Sequence, residues 1–209
     1  MNDLRAVFCE NTFIRPPQTH LSPSADAVAV IHTPSAKPKR TIWFAVLDSA
    51  EGRTFVAMTG KGICKLHWPD SPDVRRSVER EFDCKLVEAP ERFAEVKRQL
   101  DEYHAGKRKD FDLDVDFVVG TEFQKRIWKL MLKIPHGQTR TYGWMAGRAG
   151  SPNGARAAGQ ACHNNPISLI VPCHRVVGAD GSMTGYGGPS EGGKRRKREL
   201  LVLEGALKR

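Results

Sequence analysis

Short runs of hydrophobic residues with polar turns between them characterise the part of the chain that begins near residue 41. Residues 41–47, 53–59 and 62–68 are rich in β-branched and aromatic side chains, and turns containing glycine separate the three runs. This pattern is typical of strands joined by tight turns, so it predicts an antiparallel sheet. Residues 84–87 are a further candidate strand of the same sheet.

Helical spacing of apolar residues occurs twice in the same part of the chain. Residues 71–82 begin with a serine suited to an N-cap and a proline suited to the first helical turn. Residues 90–104 place their apolar side chains on one helix face, and Gly106 ends the segment. That face consists of Phe93, Val96, Leu100 and Tyr103. We interpret this part as a small α+β unit whose apolar residues form a core, with no cluster of catalytic residues.

The part that follows is predominantly helical. Thr121 and Gln124 have the spacing of a capping box, which predicts a helix from there to about Ile134. Residues 143–149 and 154–163 are two shorter helices on either side of a Gly-Ser-Pro-Asn turn, and this arrangement resembles a helix-turn-helix. The second helix is rich in alanine and glycine, which suits a shallow groove better than the major groove. Two helices that only pack together are the alternative.

Residues 165–178 interrupt an apolar run with Pro-Cys-His-Arg. Cys173, His174 and Arg175 would be costly to bury unless their polar groups were paired. A thiol beside an imidazole and a guanidinium is also the setting that produces a nucleophilic thiolate. Taken alone, the segment is more typical of a buried structural cysteine than of a reactive one.

Composition limits the classes of protein to which the chain can belong. The chain is 40% hydrophobic and 27% charged, as expected for a globular protein, and five widely scattered cysteines favour reduced thiols inside a cell. No window approaches the roughly 18 apolar residues that a membrane span needs. We see no secretory signal, and the Pro-rich residues 1–40 predict a mostly disordered extension.

Charge is concentrated in the C-terminal part. Residues 136–209 hold 11 Lys and Arg against 4 Asp and Glu, so they carry +7 of the total charge of +9. This imbalance favours a polyanionic partner, of which nucleic acid is the commonest, although a solvated basic surface is the alternative. The basic run 194–198 begins a final helix, and it is a candidate nuclear signal, DNA contact or solvated face. The apolar residues of that helix are Leu200, Leu201, Leu203 and Leu207.

Four ordered motifs together resemble the O6-alkylguanine-DNA alkyltransferase family. They are GTEFQKRIWKLMLKIPHGQTRTYG, SPNGARAAGQACHNNP, IVPCHRVVGADG and KRELLVLEG, and the match runs from Gly120 to the end of the chain. The resemblance implies an α+β fold: a small ribonuclease H-like N-terminal domain at residues 41–115, and a compact helical domain with a helix-turn-helix at residues 116–209. Residues 1–40 fall outside the family pattern.

The resemblance also implies a reaction centre. Cys173 matches the alkyl acceptor, His174 the base that takes the thiol proton through a water, and Glu204 the carboxylate that orients the imidazole. Asn165 matches the residue that braces the turn beside the cysteine. The expected reaction is a displacement at the alkyl carbon of O6-alkylguanine, with O4-alkylthymine as a second candidate substrate. Each molecule acts once, and no cofactor or metal is expected.

The expected partner is double-stranded DNA, bound through its minor groove with the damaged nucleotide flipped out, and we expect a monomer and no membrane partner. Tyr142 matches the tyrosine that helps to extrude the nucleotide and protonates the departing guanine, and Arg156 matches the finger that enters the base stack. Ser151, in the turn between the helices, is a further expected DNA contact. Tyr186 and Gly187 match the loop that closes over the flipped base. The expected location is the bacterial cytoplasm or the eukaryotic nucleus.

Two further features depart from the family pattern, and three other functions are alternatives. The stretch at residues 187–193 is longer than usual, and Cys162 replaces a larger apolar residue. The alternatives are a zinc site at residues 162–163 and 173–174, a cysteine hydrolase, and a DNA-lesion binder without catalysis. Adjacent Cys-His pairs seldom chelate one metal. Relatives that only bind lesions lack the acceptor cysteine, whereas this chain has it.

Overall fold

The computed structural model describes residues 39–50, 52–183, 186 and 191–208, so most of the Pro-rich extension and Gly187 lie outside the described residues. Within them, a four-stranded sheet has the order β3-β2-β1-β4. The strands are β1 (Arg40–Ser49), β2 (Gly52–Thr59), β3 (Gly62–His67) and β4 (Cys84–Glu88).

The first three strands pair antiparallel, as the sequence predicts, whereas β4 pairs with β1 in parallel, so the sheet is mixed. A helical crossover, α1 (Pro72–Glu81), separates β3 from β4 and lets the chain re-enter the sheet in the parallel direction. Ser71 caps α1 as predicted, since its side chain accepts a hydrogen bond from the Val74 amide. The predicted helix at residues 90–104 is a 3₁₀ turn, Pro90–Phe93, followed by α2 (Ala94–His104).

Both faces of the sheet are buried, because successive strand residues enter different clusters. Phe44, Phe55 and Cys64 lie in a small cluster that includes Val78 of α1. Their neighbours Ala45, Val56 and Ile63 lie in the main core, which also includes Leu100 of α2 and Trp128. The main core therefore joins the sheet to the helical part of the chain.

The helical part contains α3 (Glu122–Met131), α4 (Tyr142–Arg148), α5 (Ala155–His163) and α6 (Glu191–Leu203). Two short strands, β5 (Arg140–Thr141) and β6 (Val176–Val177), pair in parallel. The two short helices α4 and α5 follow each other as the helix-turn-helix pattern predicts. The described helices include none that is both long and apolar enough to span a bilayer.

The N-terminus of α3 illustrates how closely sequence dictates local structure here. Both halves of the predicted capping box form, between Thr121 and Gln124. Gly120 before it has φ 100°, and a Cβ there would lie 2.4 Å from the Trp128 ring. Only glycine permits both that backbone conformation and that approach. The Trp128 indole donates to the Ala161 carbonyl at 2.8 Å, which fixes α3 against α5.

Candidate active site

A loop held by Asn165 leads into the Pro-Cys-His-Arg segment. The Asn165 amide donates to the Val171 carbonyl at 2.7 Å, and its oxygen accepts from the Ile167 amide at 3.1 Å. Leu169, inside this loop, has φ 77°, a conformation that costs energy for a branched residue and persists only where surrounding contacts enforce it. Asn165 therefore bonds to the loop on both sides of the strained residue.

Cys173 begins a 3₁₀ turn, Cys173–Arg175, and is 7% exposed. Burial raises the pKa of its thiol above the ordinary value, against the opposing effects of hydrogen bonds with Asn165 and Ser168 and the charge of Lys197. A thiol in this environment is protonated at neutral pH. It can become a nucleophile only if a neighbouring base accepts its proton.

His174 is completely buried and has two different ring nitrogens. Its Nε2 lies 2.9 Å from Glu204 Oε1, whereas its Nδ1 has no hydrogen-bond partner among the described residues. Because the carboxylate can only accept, Nε2 carries the proton and Nδ1 holds the lone pair. Burial lowers the pKa of His174, although the hydrogen bond to Glu204 acts in the opposite direction. The imidazole is therefore a neutral base whose basic atom points away from Glu204.

Glu204 directly follows α6, and its buried carboxylate accepts from several donors. Arg175 Nη2 donates to Oε1 at 2.8 Å, Arg175 Nε lies 3.0 Å from Oε2, and the Gly137 amide donates to Oε2 at 3.2 Å. Burial alone would raise the pKa of this carboxyl, but the hydrogen bonds from His174, Arg175 and Tyr103 lower it well below its usual range. Glu204 is thus a fixed negative charge beside the imidazole.

Sequence reasoning missed Tyr103 and the role of Arg175 in this network. Tyr103 lies on α2, in the part of the chain interpreted as holding no catalytic cluster, yet its hydroxyl donates to Glu204 Oε1 at 2.7 Å. Arg175 is the fourth residue of the Pro-Cys-His-Arg motif, and its Nη1 also donates to the Ile134 carbonyl at 2.6 Å. The apolar run around Arg175 is the one signal that this arginine is buried and therefore paired.

Lys197 belongs to the basic run 194–198, but it is buried and so is not part of a solvated face. It is 1% exposed, and its Nζ lies 2.5 Å from the Val176 carbonyl and 3.3 Å from the Tyr142 hydroxyl. Burial lowers the pKa of this lysine, while the two neighbouring thiols of Cys162 and Cys173 oppose that effect. Its helical spacing to Leu200, Leu201 and Glu204 places it on the buried face of α6, a signal available in the sequence.

The residues predicted to contact DNA lie on α4, α5 and the turn between them. Tyr142 is half-buried at the start of α4, and a Cβ built on Gly159 of α5 would lie 3.8 Å from its ring. Arg156 is exposed in the first turn of α5, and Ser151 is half-buried in the turn. Through Lys197, Tyr142 is linked to the buried network, whereas Arg156 and Ser151 are outside it.

Tyr186 lies between the two parts of the chain. It is buried, its ring stacks on Trp68 at 5.3 Å, and it meets His174 edge-on at 6.1 Å. A cavity of about 770 Å³ is lined by Trp68, Tyr186, Asn165 and Ser168, among others, but not by Cys173. Tyr186 therefore contacts both Trp68, in the N-terminal part, and His174, in the C-terminal part.

The zinc alternative finds no support in the described part of the chain, where no group of three or more His, Cys, Asp or Glu side chains could hold a metal ion. Cys162 Sγ instead lies 3.7 Å from Met131 Sδ in the core. The cysteines described, Cys64, Cys84, Cys162 and Cys173, are all free thiols.

Two family models match most of the chain. The model described as 6-O-methylguanine DNA methyltransferase, ribonuclease-like domain, matches residues 42–117. The model described as 6-O-methylguanine DNA methyltransferase, DNA binding domain, matches residues 122–206. The α+β fold with a ribonuclease H-like N-terminal domain and a helical C-terminal domain is thereby confirmed.

Known proteins resemble the chain over most of its length. The methylated-DNA–protein-cysteine methyltransferase of Methanosarcina acetivorans is 39% identical over 165 residues, which are 79% of this chain and 99% of that protein. The protein of the same name from Mycobacterium tuberculosis is 51% identical over 115 residues, 55% of this chain and 67% of the relative.

Solved structures agree with these relatives. The crystal structure of Mycobacterium tuberculosis O6-methylguanine methyltransferase covers 79% of this chain and 93% of its own, with 39% identity and a TM-score of 0.66. A structure of Mycobacterium tuberculosis OGT in complex with DNA has the same identity, coverage and TM-score. The chain therefore belongs to the methylated-DNA–protein-cysteine methyltransferase family.

Proposed function

We propose that the protein repairs DNA by transferring the alkyl group of O6-alkylguanine to Cys173, once per molecule. Family membership indicates the class of reaction. The observation that supports Cys173 as the acceptor is the buried hydrogen-bond network of the next residue, His174, with Glu204. Cys173 is followed by a neutral His174 whose Nε2 lies 2.9 Å from the Glu204 carboxylate. A charge-oriented imidazole beside a thiol is the arrangement that generates a thiolate on demand.

The transfer step is a displacement at the alkyl carbon. His174 Nδ1 takes the thiol proton, through a water as the family resemblance implies, and Glu204 stabilises the imidazolium. The thiolate then forms the S–C bond while the C–O6 bond breaks, and that electron pair stays on the guanine oxygen. The Tyr142 hydroxyl supplies the proton that the departing guanine requires. Lys197 Nζ lies 3.3 Å from the Tyr142 hydroxyl oxygen, and its charge favours release of the Tyr142 proton.

The surface of α4 and α5 is the proposed DNA-binding site. Arg156 is exposed at the start of α5, where it can enter the base stack, and Ser151 can contact a phosphate from the preceding turn. Gly159 and the alanines of α5 permit close approach to the minor groove. Tyr186, with Gly187 beside it in the sequence, covers the extruded base, and burial of its ring against Trp68 supports that placement.

We propose the same domain division that the sequence predicts: residues 1–40 as an extension, 41–115 as the ribonuclease H-like domain and 116–209 as the domain that binds DNA and carries the reaction centre. The family models end at residue 117 and begin again at residue 122, which supports a boundary there. Four free thiols among the described cysteines support a reducing compartment that contains DNA, the bacterial cytoplasm or the eukaryotic nucleus.

The test is the mass of the protein after reaction. Incubation with a duplex that contains one O6-methylguanine should add one methyl group, at one equivalent per protein, to the peptide that holds Cys173. Cys173→Ser should gain no methyl group, whereas Cys162→Ser, which removes the other thiol near Lys197, should still be methylated at Cys173.

Three results would contradict the proposal. Multiple turnovers on an ester or amide substrate would favour the cysteine hydrolase. Tight binding of the lesion without an adduct on reduced protein would favour a lesion-binding protein. A methyl group on Cys162 of the unmodified protein would show that Cys162, and not Cys173, is the acceptor.

A further inference from the structure

One strong contact with the reaction centre comes from the N-terminal part of the chain. Tyr103 is 1% exposed, and its hydroxyl lies 2.7 Å from Glu204 Oε1 and 3.5 Å from His174 Nε2. It lies on α2, whereas Glu204 follows α6 and His174 precedes β6. The hydroxyl is thus placed at the point where the base and its carboxylate meet.

The direction of this hydrogen bond follows from the chemistry of its partners. Burial raises the pKa of the Tyr103 phenol, and the Glu204 charge raises it further, so the hydroxyl keeps its proton. An ionised carboxylate only accepts, and Tyr103 is therefore the donor. Oε1 thus accepts hydrogen bonds from Tyr103, from His174 Nε2 and from Arg175, while Oε2 accepts them from Arg175 and Gly137.

We infer that Tyr103 is a positioning residue for alkyl transfer, because its hydroxyl fixes Glu204 Oε1 against His174 Nε2 and limits how strongly the carboxylate holds the imidazole proton. This inference rests on the proposed transfer to Cys173. It gives a residue of the ribonuclease H-like domain an indirect part in the chemistry of the other domain. The hydroxyl does not touch substrate; it acts through Glu204.

The ring of Tyr103 is separately held by packing. It lies 5.1 Å from Phe111 and meets the rings of His104 at 5.6 Å and His136 at 6.4 Å. Phenylalanine can keep these contacts, so Tyr103→Phe removes the hydroxyl and little else. The hydrogen bond to a charged group that it loses is among the stronger kinds in proteins.

Loss of the hydroxyl should change the pH dependence as well as the rate. Without the Tyr103 donor, Glu204 interacts more strongly with His174, which raises the pKa of the imidazole and protonates the base at higher pH. Arg175 and Lys197 also act on the imidazole through their charges, Tyr186 meets it edge-on, and Cys173 precedes it in the chain. His104 and His136 contact the Tyr103 ring, so variants of these two histidines serve as controls.

The experiment measures the single-turnover rate of methyl transfer from an O6-methylguanine duplex between about pH 5 and pH 8. Tyr103→Phe should lower the rate about tenfold at neutral pH, leave the Kd for duplex DNA unchanged, and move the acid limb of the profile to higher pH. Val96→Ala, a core change on the same helix, should destabilise the protein but leave the acid limb in place. His104→Gln and His136→Gln should also leave it in place.

The outcomes separate this inference from the proposed function. Methylation of Cys173 in the unmodified protein establishes the transfer whatever the variants do. An unchanged rate and pH profile in Tyr103→Phe would overturn the positioning role alone, and so would an equal shift of the acid limb in Val96→Ala or either histidine variant. Recovery of the rate in Tyr103→Phe at higher pH, without a change in DNA affinity, supports the role.

Discussion

The reaction centre and the α4–α5 surface hold charged residues in opposite environments. In the centre, Arg175 and Lys197 are buried, and both donate to protein oxygens within 2.5–3.3 Å. On the surface, Arg156 and Arg148 are exposed to solvent. Both regions belong to the basic C-terminal part of the chain, so net charge alone does not distinguish their roles.

The contrast teaches which substitutions affect folding and which affect only binding. A buried charge is tolerated only while its partners remain, because desolvation otherwise costs several kcal/mol. Changes in the centre should therefore alter stability and chemistry together. An exposed arginine has little effect on stability and contributes when a phosphate or a base stack is present. Three changes test this distinction, and the largest effect is expected in the centre.

Glu204→Gln should have the largest effect. The substitution keeps the side-chain volume but leaves the Arg175 guanidinium without its buried counter-charge, which should cost about 3–5 kcal/mol of unfolding free energy. The transfer rate should fall at least about hundredfold, because an amide can present its NH₂ to His174 Nε2 and favour the wrong tautomer. Denaturant unfolding and single-turnover kinetics measure the two losses.

The matched control is Glu199→Gln on α6, the helix that Glu204 follows. Glu199 is exposed and its carboxylate lies 3.6 Å from Arg195, so loss of its charge should change neither stability nor rate measurably. Equal effects of the two substitutions would show that the stability and rate losses arise from net charge and not from the buried network.

Acid should lower the unfolding free energy of the protein in two steps. The pKa of His174 is lowered by burial, so the unfolded state binds a proton at a pH at which the folded state does not. The stabilising contribution of neutral His174 is therefore fully present above about pH 6.5 and is lost as the pH falls below that value. The pKa of Glu204 is also lowered, through its hydrogen bonds and despite burial, so a second loss begins below about pH 4.3. Unfolding free energies measured from pH 8 to pH 3 should show both.

Glu204→Gln distinguishes the second step from the titration of exposed carboxylates. The variant should lose less additional stability below about pH 4.3 than the unmodified protein, because its amide does not titrate. If the two proteins lose the same unfolding free energy in that range, then protonation of Glu204 is not the cause of the loss of stability in acid.

The sequence predicts much of this structure because local signals are strong. The Thr121–Gln124 capping box, the Ser71 cap and the short strands follow from residue types and spacing, and all are present. The Pro-Cys-His-Arg segment is recognisable because polar residues interrupt an apolar run. The parallel pairing of β4 is less predictable, since strand direction depends on the path of the crossover and not on the strand residues.

Tyr103 shows where sequence reasoning ends. In a helix with apolar residues at the spacing of a buried face, a tyrosine resembles any other core residue, and nothing local predicts that its hydroxyl meets Glu204, 101 positions further along the chain. Lys197 is intermediate, because a lysine on the apolar face of α6 signals a buried charge but not its partner. Long-range polar contacts between domains require the tertiary structure.

Arg156→Ala should have the smallest effect on the protein itself and a selective effect on its function. Because the side chain is exposed, unfolding free energy should stay within about 0.5 kcal/mol of the original. Transfer from O6-methylguanine in duplex DNA should slow about tenfold, since the gap left by the flipped nucleotide is no longer filled. Transfer from the free methylated base needs no flipping and should be unchanged.

The matched control is Arg76→Ala, at an exposed arginine on α1, which removes the same charge and should affect neither substrate. Equal losses on duplex and free base would refute the finger role and imply that Arg156 acts on the buried centre, which would erase the distinction between the two regions.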